Sequence, residues 1–439
     1  MANSIAFVRR HRHTGLVGGA MLVAAAALAA SGSQGSEMLA RAAAGLTAEG
    51  AARHVRVLAD DSFEGREAGR RGGRAAAAYI VEQIGPLGFE PAGDRGTSYQ
   101  PFGAGMRNIL ALLPGRDPVL AREVVVVGAH YDHVGYGNPQ NSFGPFGRVH
   151  NGADDNASGV AGLIEIMAAL QRLPERPRRS ILIAFWDGEE KDLLGSQHFL
   201  RVRPQALAGY DLVFSVNLDM IGRLRDRRLI IFGGRTSSGL RSRLVGINNA
   251  PGGAGLELAF DWDILEDSDH YSFIAGRIPT VMLHTGLHDQ YHRPSDDVEF
   301  VNFDGIPQVS RLTLALTLAI ADDDERLSFR PESRSESNAT KRRLEESRPP
   351  RAPSRGRWGI ISRADPGEPA CPVVVDVFRD SPAAKAGLRA GDRLIAIEGE
   401  CFADQAAMVA RLRSSPAVCQ LTIDRRGVVS TVTLQDDGD

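Results

Sequence analysis

The sequence predicts a three-layer α/β sandwich around a mostly parallel or mixed central sheet, followed by a small β-rich domain. Three observations carry this. Short, β-branched apolar runs alternate with helical patterns between Asn108 and Ile320. A stretch rich in charge, Ser and Pro then interrupts the chain from Ala321 to about Arg355. Beyond it, roughly 80 residues regain strand-like alternation, enough for one small domain. A chain of 439 residues also exceeds what a single ordinary core organises.

The elements follow in order. Arg9, Arg10 and Arg12 precede an Ala/Leu/Val-rich run from Leu16 to Ala30, and Ala27-Leu28-Ala29 makes a small-residue cleavage site. Residues 1–29 therefore read as an export signal, and the protein is expected to be periplasmic or secreted. The run is short and diluted by Gly and Ala, so no stable membrane span is expected, with an uncleaved anchor as the alternative. No Cys follows it, so a bacterial-type lipid anchor is not indicated. Leu46 to Leu58 has helical spacing, the Gly/Arg-rich DSFEGREAGRRGG reads as a loop, and a helix is expected around Ala75 to Ile84.

Strands are expected at Ile109–Leu113, Val124–Val127, Ile181–Trp186, Val213–Leu218 and Thr280–Leu283, each apolar enough to be covered on both faces. Val160, Leu163, Ile164, Met167 and Leu170 fall at helical spacing and Pro174 ends that helix, while Val309 to Ile320 forms a last apolar helix. These signals divide the chain into a larger α/β domain over 37–321, a flexible linker over 322–355 and a second domain over 356–436. No internal repeat is present.

Net charge is −3, with both signs interspersed, which argues against nucleic acid as a partner. Cys371, Cys401 and Cys419 all lie near the C-terminus, so cysteine ligation of a metal in the first domain is excluded.

His130, Asp155, Glu190, Asp219 and His292 each sit just after a strand-like run, where an α/β sheet gathers its ligands. Imidazoles mixed with carboxylates suit zinc, and a pair of zinc ions about 3.5–4 Å apart needs a bridging carboxylate, terminal ligands and a general base. Asp155 in GADDNASG can bridge, with Asp154 as its competitor. The adjacent Glu189 and Glu190 allow one to ligate while its neighbour faces the water. Asp132, two residues after His130, can accept the second imidazole proton, and Tyr291 can donate to an oxyanion.

The motifs GAHYDH, NGADDNASG, FWDGEEKDLLGS, NLDMIG, SDHYSF and YHRPSDD resemble those of the secreted two-zinc aminopeptidases that include bacterial leucyl aminopeptidase and, more distantly, glutamate carboxypeptidase II. The resemblance runs from about Leu46 to Ile320. It implies two Zn²⁺ ions, with His130 and Asp219 on one, Glu190 and His292 on the other, and Asp155 rather than Asp154 between them. It further implies Glu189 as general base, Tyr291 as the carbonyl-polarising donor, Asp132 behind His130, and peptide or protein N-termini as substrates. Lys191-Asp192 depart from the small or apolar residues frequent there, and the protease-associated insertion common in the family is missing between Gln100 and His130.

Other polar residues carry bland readings. His284 and His288 read as structural, His133 and His198 as structural or exposed, and His270 as a structural or pocket-shaping residue. Arg223 reads as a salt-bridge partner, Phe185 and Trp186 as core, Asp322–Glu325 as a solvated helix end or linker, and Asn338-Ala-Thr as a glycosylation site only in a glycosylating host.

Trp358-Gly359-Ile360-Ile361, VVVDVF and SPAAKAGLRAGDRLIAIEGE resemble a PDZ domain of bacterial envelope proteases, over about Arg357 to Leu434. The resemblance implies a carboxylate loop at Gly359, Ile360 and Ile361 and a C-terminal peptide as ligand, the alternative being a folded appendage without one. The whole reads as an exported zinc aminopeptidase. The rivals are a carboxypeptidase or other amidohydrolase on the same metals, and a catalytically silent peptide-binding scaffold.

Overall fold

A computed structural model of the chain describes residues 39–346 and 356–436, so the expected signal over 1–29 lies outside the described residues. The first domain is built on a nine-stranded mixed sheet. Its strands are β1 (Glu90–Pro91), β2 (Tyr99–Phe102), β3 (Met106–Leu113), β4 (Glu123–His130), β5 (Ser180–Trp186), β6 (Asp211–Leu218), β7 (Arg228–Phe232), β8 (Glu257–Phe260) and β9 (Thr280–His284). The order is β1-β3-β5-β4-β6-β9-β7-β8, with β2 also on β3. The central β5, β4, β6 and β9 run parallel, whereas β3 and β7 flank them antiparallel.

The apolar runs were expected to be buried on both faces, and β4 shows why such a run is needed. Val125 and Val127 enter one core cluster, and Val124 and Val126 enter another on the opposite face. In β5, Ile181, Ile183 and Phe185 alternate in the same way with Leu182, Ala184 and Trp186. Side chains of period two thus feed two cores, each fully buried aliphatic or aromatic group contributing roughly 1.5–3 kcal/mol.

The larger core is covered by α1 (Ala48–Leu58), α2 (Arg71–Ile84), α3 (Gly159–Gln171), α5 (Leu240–Asn249) and α7 (Gly305–Ala321). The smaller core lies under α4 (Leu194–Arg201) and α6 (His270–Ala275), through Phe199 and Phe273 packed against Trp186. Helix α1 starts at Thr47, whose hydroxyl accepts from Gly50 N at 3.0 Å, a regular cap for otherwise unpaired amides. Among the described residues no helix is long and apolar enough to cross a membrane.

The segment 322–346, expected to be flexible, is instead fixed to the domain that precedes it. Asp322 accepts from Arg178 N at 2.8 Å, Asp324 pairs with Arg178, and Asp323 pairs with Arg243. Asp322, Asp323 and Asp324 thus each meet an arginine, while Asp324 and Glu325 stay exposed to solvent as expected. Helix α8 (Asn338–Glu346) follows. Asn338 donates its amide to Asp261 and Asp263, so the sequon side chain is engaged, and Lys341 Nζ reaches Phe260 O at 2.7 Å. Composition suggested solvation, but Asp322, Asp323, Asp324, Glu336 and Lys341 each find an arginine or a carbonyl.

The second domain has six antiparallel strands, β10 (Ile360–Arg363), β11 (Val373–Val377), β12 (Arg393–Ile397), β13 (Glu400–Cys401), β14 (Val418–Arg425) and β15 (Val428–Gln435). Helices α9 (Pro382–Lys385) and α10 (Gln405–Ser414) cover a core around Val374, Leu394, Met408 and Leu421. A buried polar seam docks this domain on the first. Asp365 accepts from Arg235 at 2.8 and 2.9 Å and from Arg393 at 2.8 Å, while Arg235 also pairs with Glu336. Glu368 accepts the Arg241 and Ser242 amides at the start of α5, where a helix N-terminus favours an anion.

Candidate metal centre

The carboxyl ends of the adjacent parallel strands bring the expected residues together. His130 ends β4, Glu189 and Glu190 follow β5, Asp219 follows β6, and His292 lies in the loop after β9. Asp155 comes from the turn just before α3. That helix can start against the sheet because Gly159 has no side chain: a Cβ there would lie 2.7 Å from Leu218 O.

Two donor sets share Asp155. One is His130, Asp155 and Asp219; the other is His133, Asp155, Glu190 and His292, with the donor atoms of each set within 4.8 Å of one another. Asp155 Oδ1 lies 3.4 Å from His130 Nε2, which is 3.4 Å from Asp219 Oδ1. Asp155 Oδ2 lies 3.1 Å from His292 Nε2, which is 3.2 Å from Glu190 Oε2. Zinc with bonds of about 2.0–2.1 Å sets the edges of its tetrahedron at about 3.3–3.4 Å. All four separations are close to that edge, so these residues fit a pair of such ions.

The electrostatics fit the same use. Burial opposes protonation of His130, yet Glu189 and Asp219 hold its imidazole well above the usual range. His292 is also opposed by burial but is raised to about 11 by Glu190 and Asp155. Burial would raise Asp155, but His133, His130 and His292 hold its carboxyl well below the usual range. Protons and a divalent cation would compete for the same atoms.

The surroundings fix these groups. Asp132 was expected to accept the second proton of His130 through its carboxylate, and here the structure differs. His130 Nδ1 lies 3.2 Å from the Asp132 backbone carbonyl and 3.8 Å from its Oδ1. The carboxylate turns instead to the Glu189 and Glu190 amides, at 3.0 and 3.3 Å, and so holds the Glu-Glu turn. Asp154, the rival bridging residue, points away from both donor sets to Gly222 N, Ser158 Oγ and His288. Tyr291 stacks on His292 with ring centroids 3.9 Å apart.

Glu189 is buried, with Oε2 4.0 Å from His130 Nε2, and it belongs to neither donor set. Burial, reinforced by Glu190 and Asp219 against the pull of His130, holds its carboxyl well above the usual range.

Three residues of the centre were not legible in the sequence. Arg66, in the loop after α1, is fully buried and donates to the carbonyls of Leu58, Tyr131, Asn151, Gly152 and Asp155. Asp296 accepts the Asp154 and Asp155 amides, each at 3.0 Å. His133, read as structural or exposed, is fully buried beside Glu190. A motif rich in Gly and Arg gave no sign of which arginine turned inward, although Asp296, the first Asp of YHRPSDD, stood in a quoted motif.

The remaining residues keep their bland readings. His284 Nδ1 accepts Gly286 N, His198 stacks on Phe102, Arg223 pairs with Asp296, and Phe185 and Trp186 lie in the core. In the second domain Gly359 takes a left-handed φ of 71°, but Ile360 and Ile361 open strand β10 instead of forming a loop with it.

Parts of the chain are similar to known proteins. Residues 108–317 match Peptidase family M28 and residues 373–425 match the PDZ domain. Leucine aminopeptidase 1 of Trichophyton rubrum is 26% identical over 269 residues, covering 57% of this chain and 68% of that one. Leupeptin-inactivating enzyme 1 of Streptomyces exfoliatus is 30% identical over 173 residues, or 38% of this chain and 33% of that protein, so the chain spans a third of its length. In fold, the chain is similar to the LapA aminopeptidase of Legionella pneumophila, with a TM-score of 0.55 at 18% identity over 66% of this chain and 76% of that one. The chain thus combines a region, residues 108–317, similar to Peptidase family M28 with a region, residues 373–425, similar to the PDZ domain.

Proposed function

We propose that the protein is an exported aminopeptidase that holds two zinc ions and removes residues from peptide N-termini. The observation that carries the reading is the pairing of a shared carboxylate with an uncommitted one. Asp155 offers one oxygen to each donor set, and Glu189 stands beside them outside both. His130 and Asp219 would hold one ion, Glu190 and His292 the other, and Asp155 both. Bound there, zinc supplies Lewis acidity and a water that loses its proton near neutral pH.

Glu189 then takes the proton from the attacking water and passes it to the leaving amine, a role suited to a carboxyl whose proton affinity burial has increased. The Tyr291 hydroxyl donates to the carbonyl oxygen as negative charge develops on it. Asp219 and Glu189 provide the negative surroundings that favour a cationic α-amine over a blocked terminus. The PDZ domain would take an extended peptide along β10, which is an edge strand of its sheet. Export rests on the basic and apolar pattern of 1–29.

The test is release of leucine from a dipeptide amide and from its N-acetylated form by the purified chain, before and after chelation. Release from the free form alone, lost with chelator and restored by zinc, is the expected outcome. Equal cleavage of both forms would replace the aminopeptidase reading with a broader amidohydrolase.

A further inference from the structure

His133 belongs to one donor set by proximity, yet its distances exclude it from the coordination shell that set describes. Its Nδ1 lies 2.7 Å from Glu190 Oε1 and 3.7 Å from Asp155 Oδ2. Two ligands of one tetrahedral zinc stand about 3.3–3.4 Å apart, so 2.7 Å is too short for His133 and Glu190 Oε1 to share an ion. It is the length of an N–H donor on a carboxylate. Glu190 then divides its oxygens, Oε2 towards His292 at 3.2 Å and Oε1 towards His133.

The other terminal carboxylate is arranged in the same way. Asp219 turns Oδ1 to His130, while Oδ2 accepts from Ser268 Oγ at 2.6 Å, and Ser268 is held in turn by Asn217 at 2.8 Å. Each terminal carboxylate thus presents one oxygen to an imidazole and has the other tied by a donor. His133 is firmly placed for this. Its backbone N–H donates to Arg66 O at 3.3 Å, and its ring meets the edge of His292 at 5.6 Å. On the remaining side Gly152 approaches so closely, with φ of 56°, that a Cβ would stand 2.6 Å from His133 Cδ2.

We propose that His133 is a positioning residue that donates from Nδ1 to Glu190 Oε1, leaving Oε2 as the single ligand oxygen of the ion held by Glu190 and His292. The proposal rests on the reading of Glu190 as a zinc ligand. Donors behind metal-binding carboxylates typically govern about 10–100-fold in metal affinity.

The test is zinc titration of the metal-free full-length chain against a competing chromophoric chelator, together with the visible spectrum of the cobalt form and the melting temperature without metal. His133→Ala is expected to weaken one of the two ions about 10–100-fold and leave the other within about twofold. His133→Asn, whose amide can place a donor near the position of Nδ1, is expected to recover most of that loss. In His133→Ala the loss of a buried partner of Glu190 is expected to lower the metal-free melting temperature, and His133→Asn to recover most of that loss.

Equal weakening of both ions that His133→Asn does not recover would overturn the proposal in favour of a structural role. A changed cobalt spectrum that His133→Asn does not restore would make His133 a direct ligand, and unaltered affinity would leave it no role. A wild-type chain that binds no zinc refutes the functional reading itself. Two bound ions with His133→Ala unaffected refute only this proposal.

Discussion

Replacing Arg66 by Lys tests whether one buried guanidinium organises the loops that carry the metal site. Arg66 makes five hydrogen bonds to carbonyls, two of them on Gly152 and Asp155 in the turn that presents the shared carboxylate. Burial lowers its proton affinity to about 10, against the opposing influence of Asp155, Asp296, Asp132 and Glu190, so the group stays charged at neutral pH. A lysine ammonium offers three donors from a single point, and at least two of the five carbonyls would lose their partner.

Each buried acceptor left unpaired costs about 1–3 kcal/mol, so Arg66→Lys should cost about 2–6 kcal/mol. That is a large share of the roughly 5–15 kcal/mol that holds a domain folded. The assay is urea unfolding followed by tryptophan fluorescence, with zinc titration alongside. Stability within about 1 kcal/mol of wild type, with zinc affinity unaltered, would refute the reasoning, because it would show that water or a neighbouring group replaces the lost donors.

Three further outcomes are expected. Glu189→Gln should lower the turnover of a leucyl amide by about 10²–10⁴ while the bound zinc remains unchanged, and loss of zinc along with activity would contradict its place outside the donor sets. Burial lowers His54 from the ordinary 6.5 to about 4, with Arg53 adding to the effect. The unfolded chain then takes up the proton first, so stability present above pH 6.5 is lost as pH falls towards 4, by up to ~3 kcal/mol, and His54→Gln should flatten that part of the urea-midpoint profile. Arg235→Ala removes one partner of buried Asp365 and Glu336, at about 3–5 kcal/mol, and should make α8 accessible to hydrogen exchange ahead of the rest of the chain, whereas unchanged protection would show that the seam does not hold it.

The parts of the fold read from the sequence were those in which one local pattern had one structural solution. Val124 to Val127 could serve only a strand covered on both faces, and their alternation between two cores follows from the pleat. The positions of His130, Glu189, Glu190 and Asp219 followed as readily, because each stands at or just beyond the end of such a strand. Arg66 and His133 were not legible because their roles depend on groups distant in the chain, backbone carbonyls for Arg66 and the Glu190 carboxylate for His133. Nothing near DSFEGREAGRRGG specifies which arginine meets carbonyls some 65 to 89 residues further along the chain.

The seam between the domains was missed for a related reason, and it shows how composition can mislead. The segment 322–346 has the charge density of a solvated linker, but solvation is only one way to satisfy a charge. Arg235 lies over the Trp262 ring at 3.8 Å while its nitrogens engage Glu336 and Asp365, so its flat face and its edge are both used. Leu344 packs against Ile361, Val373 and Val375, and Arg363 Nη1 donates to the Arg343 and Leu344 carbonyls at the end of α8. A helix whose Asn338 and Lys341 hydrogen-bond the first domain, whose Glu345 pairs with Arg393 of the second and whose Leu344 packs on the cores of both acts as a strut. Because Arg363 ends β10, the strand proposed to receive a peptide is tied through α8 to the domain that holds the metal site. A peptide that moved β10 would therefore have to strain or break these bonds, which gives the two sites a physical connection through ordered residues.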